Sequence, residues 1–120
     1  MAIKKIICFG DSNTLGNGTE ASPYSHRYSN VLNTLLLADK HNVEITNAGY
    51  SGTSSETILT YVNNTPSVHY DIVTMMIGTN DVNFFYIDGD TPAEAATRHR
   101  AAVNALMASI RTKFAPDFIG

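Results

Sequence analysis

Short apolar segments alternate along this chain with segments in which apolar residues recur at helical spacing. The apolar runs predict strands at residues 3–9, 43–46 and 70–77, with a fourth strand opening at 117–120. The helical spacing predicts helices at residues 26–40, 55–63 and 91–114. Strands that alternate with helices form a parallel sheet through right-handed crossovers. We therefore expect one doubly wound α/β domain, three layers deep (α/β/α), with strand order 2-1-3-4-5.

The predicted helix at 91–114 has the clearest boundaries. Thr91 is a good N-cap, Pro92 suits the first helical position, and Glu94 completes a capping box. Its apolar stripe places His99 at the edge of the packed face. In the helix at 26–40, we expect the leucine run 35–37 to belong to the core.

Composition excludes several classes of protein. The 120 residues are 43% hydrophobic and carry a net charge of −3, which argues against disorder and against a nucleic-acid-binding surface. The single cysteine, Cys8, excludes an internal disulfide and a cysteine-built metal site, and we expect it to be buried. No segment is long and apolar enough to predict a membrane span, and the run at 6–9 is too short for a signal peptide. Without evidence of export, the default expectation is a cytoplasmic protein.

Three loops rich in glycine, serine, asparagine and aspartate each follow a predicted strand. They are Gly-Asp-Ser-Asn at 10–13, Asn-Ala-Gly-Tyr-Ser-Gly at 47–52 and Gly-Thr-Asn-Asp at 78–81. The carboxyl ends of parallel strands lie at one edge of the sheet, where α/β proteins bind their ligands. We therefore expect the three loops to form one site.

The residue types in these loops fit nucleophilic catalysis. Ser12 lies in the first strand-to-helix turn, where its oxygen could attack a carbonyl if a base removed its proton. The resulting oxyanion needs preorganised donors. The Ser12 amide, the Gly52 amide and the Asn80 side chain lie in the loops that could supply them.

In order and spacing, these three blocks resemble the first three sequence blocks of the SGNH/GDSL hydrolases, and the resemblance covers residues 1–120. It implies a flavodoxin-like fold and the hydrolysis of esters and thioesters of lipids, aryl alcohols or acetylated sugars, with no cofactor or metal. It also implies that Ser12 is the nucleophile, that Gly52 and Asn80 are oxyanion-hole residues with the Ser12 amide, and that Asp11 and Asp81 support the loops. The expected partner is thus a small-molecule or acylated-carbohydrate ester.

The sequence departs from this family in its histidines. The family's catalytic histidine lies in an Asp-x-x-His block near the C-terminus, and no such pattern occurs here. His41 and His69 are predicted at the opposite end of the sheet, and His26 is the one histidine predicted on the correct side, where we expect a capping or exposed role. We expect an N-terminal part of such a domain, truncated before the fourth strand. Its apolar edge at 72–77 could self-associate.

Two other functions stay open at this stage. Residues 12–19 resemble the hydroxyl-rich phosphate loop of flavodoxins, which would make the chain a flavin- or phosphate-binding module. Alternatively, it is a non-catalytic binding domain on a hydrolase scaffold. The aromatic segment 84–87 either lines an acyl or aryl pocket or packs against further protein.

Overall fold

The computed structural model describes residues 2–16 and 27–120, which form a four-stranded parallel sheet flanked by helices. The strand order is β2-β1-β3-β4, as expected for the first four strands of the predicted topology. The strands are β1 (Lys4–Gly10), β2 (Val43–Gly49), β3 (Ile72–Met76) and β4 (Phe118–Ile119). The helices are α1 (Ser12–Leu15), α2 (Tyr28–Ala38), α3 (Ser55–Asn64), α4 (Asp81–Ile87) and α5 (Pro92–Phe114).

Two segments for which the sequence predicts no helix are helical. Residues 12–15 form α1, and residues 81–87 form α4, in which Phe85 is buried beneath the guanidinium of Arg98 at 4.0 Å from the ring centroid. The helix buries the Phe85 side chain. The polar residues on either side of the segment give no indication of this burial. Strand β2 runs three residues past its predicted end, because its pairing with β1 continues to Gly49 opposite Gly10.

The main hydrophobic core lies between the sheet and helices α3 and α5. Alternate residues of β1 point into it, so Ile7 and Phe9 are buried against α5. Phe114, the last residue of α5, stacks on Phe9 with ring centroids 5.8 Å apart and meets Tyr70 edge-on at 5.3 Å. Helix α5 begins at the predicted cap, where the Thr91 side chain accepts a hydrogen bond from the Glu94 amide.

This packing predicts a large stability effect at Phe114. Replacing Phe114, which is fully buried, by alanine is expected to lower the free energy of unfolding by about 3–5 kcal/mol. Replacing Phe118, which is 60% exposed, should change it by about 0.5 kcal/mol or less. Urea denaturation of both variants measures the difference, and equal effects would contradict this position of the core.

The leucine run in α2 does not belong to the core, contrary to the prediction. Leu35 is 62% exposed and Leu37 is 50% exposed. Successive helical residues are turned by about 100°, so three in a row cannot all face one sheet. Among the described contacts, α2 packs mainly on the edge strand β2.

The far edge of the sheet is formed by β4 rather than by all of β3. Ile72 and Val73 pair with Phe118 and Ile119, and the Met75 amide donates to the Gly120 carbonyl at 2.8 Å. The final residues thus open a fourth strand, as their sequence predicts, and cover part of the edge expected to be bare. Self-association at this edge stays a prediction.

Candidate active site

The register of the sheet brings the three polar loops to one edge. Gly10, at the end of β1, lies opposite Gly49 of β2 on one side and opposite Met76 of β3 on the other. All three strands therefore end at one level, and Ser12, Gly52 and Asn80 follow within four residues of those ends. The carboxyl edge of the sheet carries the candidate site.

Ser12 is the first residue of α1 and is half-buried. The preceding Asp11 caps this short helix, with its Oδ1 accepting a hydrogen bond from the Asn13 amide at 2.9 Å. Gly10 makes the turn possible: a Cβ there would lie 2.0 Å from the Thr14 hydroxyl oxygen and 2.7 Å from the Met76 carbonyl oxygen. The glycine before Asp11-Ser12 is thus a packing requirement of the turn.

Asn47 joins the first loop to the second. Its Nδ2 donates to the Thr14 carbonyl at 2.7 Å and to the Ser29 hydroxyl at 2.9 Å, while its Oδ1 accepts from the Gly49 amide at 2.9 Å. The Tyr50 amide then donates to the Gly10 carbonyl at 2.8 Å. These bonds hold the ends of β1 and β2 together beside Ser12.

The second loop turns at Gly52. Its φ is +69°, a left-handed conformation that glycine adopts without strain, and a Cβ there would meet no atom within 4 Å. Backbone conformation, rather than lack of space, therefore accounts for this glycine. The turn is closed by the Thr53 hydroxyl, which donates to the Tyr50 carbonyl at 2.7 Å.

The Asn80 side chain lies across from this turn. Its Nδ2 donates one hydrogen to the Thr53 carbonyl at 3.0 Å. An amide nitrogen carries two hydrogens, so a second donor stays available for a ligand. The contact fixes the half-buried Asn80 side chain against the loop that contains Gly52.

Asp81 is almost completely buried, at 3% exposure, and both its oxygens are hydrogen-bonded. Oδ1 accepts from the Ser55 amide at 2.7 Å, and Oδ2 accepts from the Ser55 hydroxyl and from His99 Nδ1, the latter at 2.6 Å. Burial alone would raise the pKa of Asp81, but the bonds from Ser55 and His99 outweigh it and lower the pKa below its usual 3.8. Ionised Asp81 therefore stabilises the fold at pH values above the usual pKa of 3.8. This stabilisation is lost as the pH falls through the lowered pKa of the folded state.

His99 reaches the site from α5. Its side chain is 40% exposed and lies against Gly78, where a Cβ would be 3.1 Å from the imidazole Cε1. The sequence predicted the helix and a position at the edge of its packed stripe, but it did not predict contact with Asp81. The only signal was a histidine at helical spacing within an otherwise apolar stripe.

A cavity of about 400 Å³ opens beside this histidine, between α4 and α5. Its wall is mainly apolar and includes part of the aromatic segment predicted to line a pocket. Phe85 and Tyr86 face it, whereas Phe84 and Ile87 do not line it and are exposed. The lining residues are Gly78, Asp81, Val82, Phe85, Tyr86, Asp90, Pro92, Ala95, Ala96 and His99.

Comparison with known protein families identifies the family of this chain. The sequence profile described as the GDSL-like lipase/acylhydrolase family matches residues 8–118, which include all three loops. The chain belongs to the GDSL-like lipase/acylhydrolase family. A comparison with curated proteins returns no match.

Solved structures of GDSL-like hydrolases have the same fold. AlinE4, a SGNH-hydrolase family esterase, superposes with a TM-score of 0.70 at 25% identity over 93% of this chain and 55% of its own. A lipolytic G-D-S-L family protein from Veillonella parvula gives 0.60 at 27% identity, over 94% and 55%. Axe2, an acetylxylan esterase from Geobacillus stearothermophilus, shares the fold with a TM-score of 0.68 at 19% identity, over 97% and 57%. The chain spans slightly more than half the length of these relatives.

Of the other three histidines, two lie away from the three loops and one lies outside the described residues. His41 and His69 precede β2 and β3 and so lie at the amino end of the sheet, as predicted. His26 lies outside the described residues. Within residues 2–16 and 27–120, no three His, Cys, Asp or Glu side chains are grouped so that they could hold a metal ion. No helix in those ranges is both long and apolar enough to cross a membrane.

Proposed function

We propose that this chain carries the nucleophile and the oxyanion-binding half of a serine ester hydrolase. Ser12 is the nucleophile, and the donors are the Ser12 amide, the Gly52 amide and the Asn80 side chain. The observation that carries this proposal is the hydrogen bond from Asn80 Nδ2 to the Thr53 carbonyl, which fixes one donor beside the loop of the other. Asp11 and Asp81 support the loops through their bonds to Asn13 and Ser55.

The reaction follows from these roles. Ser12 Oγ attacks the ester carbonyl carbon while its proton passes to a base, and the carbonyl electrons move to the oxygen. The three N–H donors stabilise that oxyanion, as preorganised dipoles do where charge develops. Collapse breaks the bond to the alcohol, which takes the proton from the base. Water then attacks the acyl-serine in the same way, releasing the acid and restoring the Ser12 hydroxyl.

The proposed mechanism needs a base for Ser12. The family's Asp-x-x-His block does not occur in these 120 residues, and His41 and His69 lie at the other end of the sheet. His99 Nδ1 is bonded to Asp81, and no hydrogen bond described within residues 2–16 and 27–120 joins its imidazole to Ser12. Turnover by the chain alone should therefore respond to a base added to the solution.

The substrate class we propose is an ester with a small acyl group. The apolar cavity lies beside Gly78, which belongs to the same loop as Asn80. Its volume of about 400 Å³ suits a small acyl or aryl group. The fold is shared with Axe2, an acetylxylan esterase, which makes acetylated carbohydrates reasonable substrates to assay alongside simple aryl acetates.

Covalent labelling tests the nucleophile. The chain is incubated with a fluorophosphonate probe in imidazole buffer, and the modified residue is identified by mass spectrometry. We expect labelling at Ser12, complete loss of labelling in Ser12→Ala, and unchanged labelling in Ser51→Ala, which alters an exposed serine of the second loop. The imidazole supplies a base for the Ser12 proton.

The labelling experiment, a binding assay and an absorbance spectrum together separate this proposal from its alternatives. Labelling at Ser51 or at another serine would contradict the assignment of the nucleophile. Saturable binding of an acetylated sugar without any labelling would favour a non-catalytic binding domain. A yellow protein with flavin absorbance would instead support the flavin-binding alternative.

A further inference from the structure

The Asp81 carboxylate lies at the junction of three elements. It begins α4, it accepts two hydrogen bonds from Ser55 at the start of α3, and it accepts a third from His99 on α5. Its neighbour Asn80 is bonded to the Thr53 carbonyl. The adjacent side chains of Asn80 and Asp81 thus bond Thr53 and Ser55, which directly follow the turn at Gly52.

His99 completes this junction from outside both loops. Its Nδ1 lies 2.6 Å from Asp81 Oδ2, a short distance typical of a hydrogen bond to a charged acceptor. Ser55 and His99 donate to the same oxygen, so losing His99 would leave Asp81 Oδ2 with the Ser55 hydroxyl as its one described donor. A buried carboxylate that loses a donor shifts towards new partners or water.

Gly78 leaves the room that His99 occupies. Its φ is +107°, a conformation that side chains rarely adopt, and a Cβ there would lie 3.1 Å from the imidazole. The loop that begins at Gly78 and carries Asn80 is therefore shaped around the histidine. Both the packing and the hydrogen bond of His99 act on this one loop.

We propose that His99 is a positioning residue for the oxyanion hole: it holds Asp81, and through Asp81 it keeps Asn80 aligned with the loop of Gly52. This inference rests on the proposed ester hydrolysis, since alignment matters only if Asn80 binds an oxyanion. A misplacement of about 1 Å in a catalytic group can cost about 10²-fold in rate. His99 thus influences the oxyanion through Asp81 and Asn80, in addition to lining the cavity proposed for the acyl group.

Removing His99 should leave the fold intact. Arg98, its neighbour in α5, bonds Glu56 of α3 at 2.9 Å and both Asp88 and Asp90 beyond α4, at 3.1 and 2.9 Å. These ion pairs join α3, α4 and α5 independently of His99. The buried stripe of α5, which begins at Ala102, also lies outside the contact.

The test compares His99→Leu, His99→Asn and His69→Leu in the full chain. His99→Leu removes the donor, whereas His99→Asn keeps an amide nitrogen at the position of Nδ1. His69 is the matched control, because its imidazole also bonds an aspartate, Asp71 at 3.2 Å, but at the opposite end of the sheet. Two readouts are taken: the rate of 4-nitrophenyl acetate hydrolysis in imidazole buffer, and hydrogen exchange of the Ser55 amide by NMR.

We expect His99→Leu to lower kcat roughly 10- to 100-fold with KM nearly unchanged, and to speed Ser55 exchange roughly tenfold or more. His99→Asn should restore most of the kcat and most of the protection of the Ser55 amide from exchange. His69→Leu should change neither the kcat nor the Ser55 exchange rate. Equal losses in His99→Leu and His69→Leu, or no recovery in a folded His99→Asn, would overturn the proposal. If the unmodified chain shows no Ser12-dependent turnover in imidazole buffer, the proposed function fails. Unchanged Ser55 exchange in His99→Leu overturns the positioning role by itself.

Discussion

Asn80→Ala is expected to lower kcat for 4-nitrophenyl acetate in imidazole buffer by roughly 10²–10³-fold, the loss typical of removing one oxyanion-hole donor. KM should change little, because the donor acts on charge that develops only in the transition state. The substitution also breaks the bond to the Thr53 carbonyl, but one neutral hydrogen bond contributes only about 0.5–1.5 kcal/mol to stability. A loss of about 10²–10³-fold in kcat corresponds to about 2.7–4 kcal/mol and exceeds that contribution.

Asn83→Ala is the matched control for this variant. Asn83 lies three residues further along, on the exposed side of α4, and makes none of the described loop contacts. It should hydrolyse the ester at the unmodified rate. If Asn80→Ala raised KM and left kcat intact, Asn80 would be a substrate-binding residue rather than an oxyanion donor.

The three loops could be predicted from sequence because their signals are local. An apolar run followed by glycine, aspartate and serine marks the end of a buried strand, and in a parallel sheet all such ends lie at one edge. The structure confirms that edge through the register of Gly10 with Gly49 and Met76. Ser12, Gly52 and Asn80 follow from those ends without knowledge of any long-range contact.

The supporting contacts could not be predicted because they join distant segments. Asp81 and Ser55 are 26 residues apart, and Asp81 and His99 are 18 apart on different helices. Their meeting depends on how α5 crosses the loop at Gly78, which no local pattern specifies. Helix α4 was missed for a related reason: seven residues are too few to show a helical period, and the burial of Phe85 depends on Arg98 above it.

In the chain alone, the Ser12 hydroxyl should react only slowly with an ester. Serine hydroxyls are weak nucleophiles unless a base lies within about 2.6–3.2 Å, and the family's Asp-x-x-His block is not in these residues. Serine proteases stripped of triad members still retain roughly 10³–10⁴-fold catalysis over water through binding and the oxyanion hole. We therefore expect weak but measurable hydrolysis of 4-nitrophenyl acetate by the unmodified chain.

Added imidazole is expected to raise that rate in proportion to its concentration, and Ser12→Ala should reduce the response to that of imidazole in buffer. Without an internal base, Ser12→Ala should cost little in imidazole-free buffer, because members of a triad act as a unit and their losses do not add. Fast hydrolysis without imidazole that disappears in Ser12→Ala would contradict the absence of a base. His26→Ala would then show whether His26, which lies outside the described residues, supplies it, while His69→Leu controls for loss of a histidine at the opposite end of the sheet.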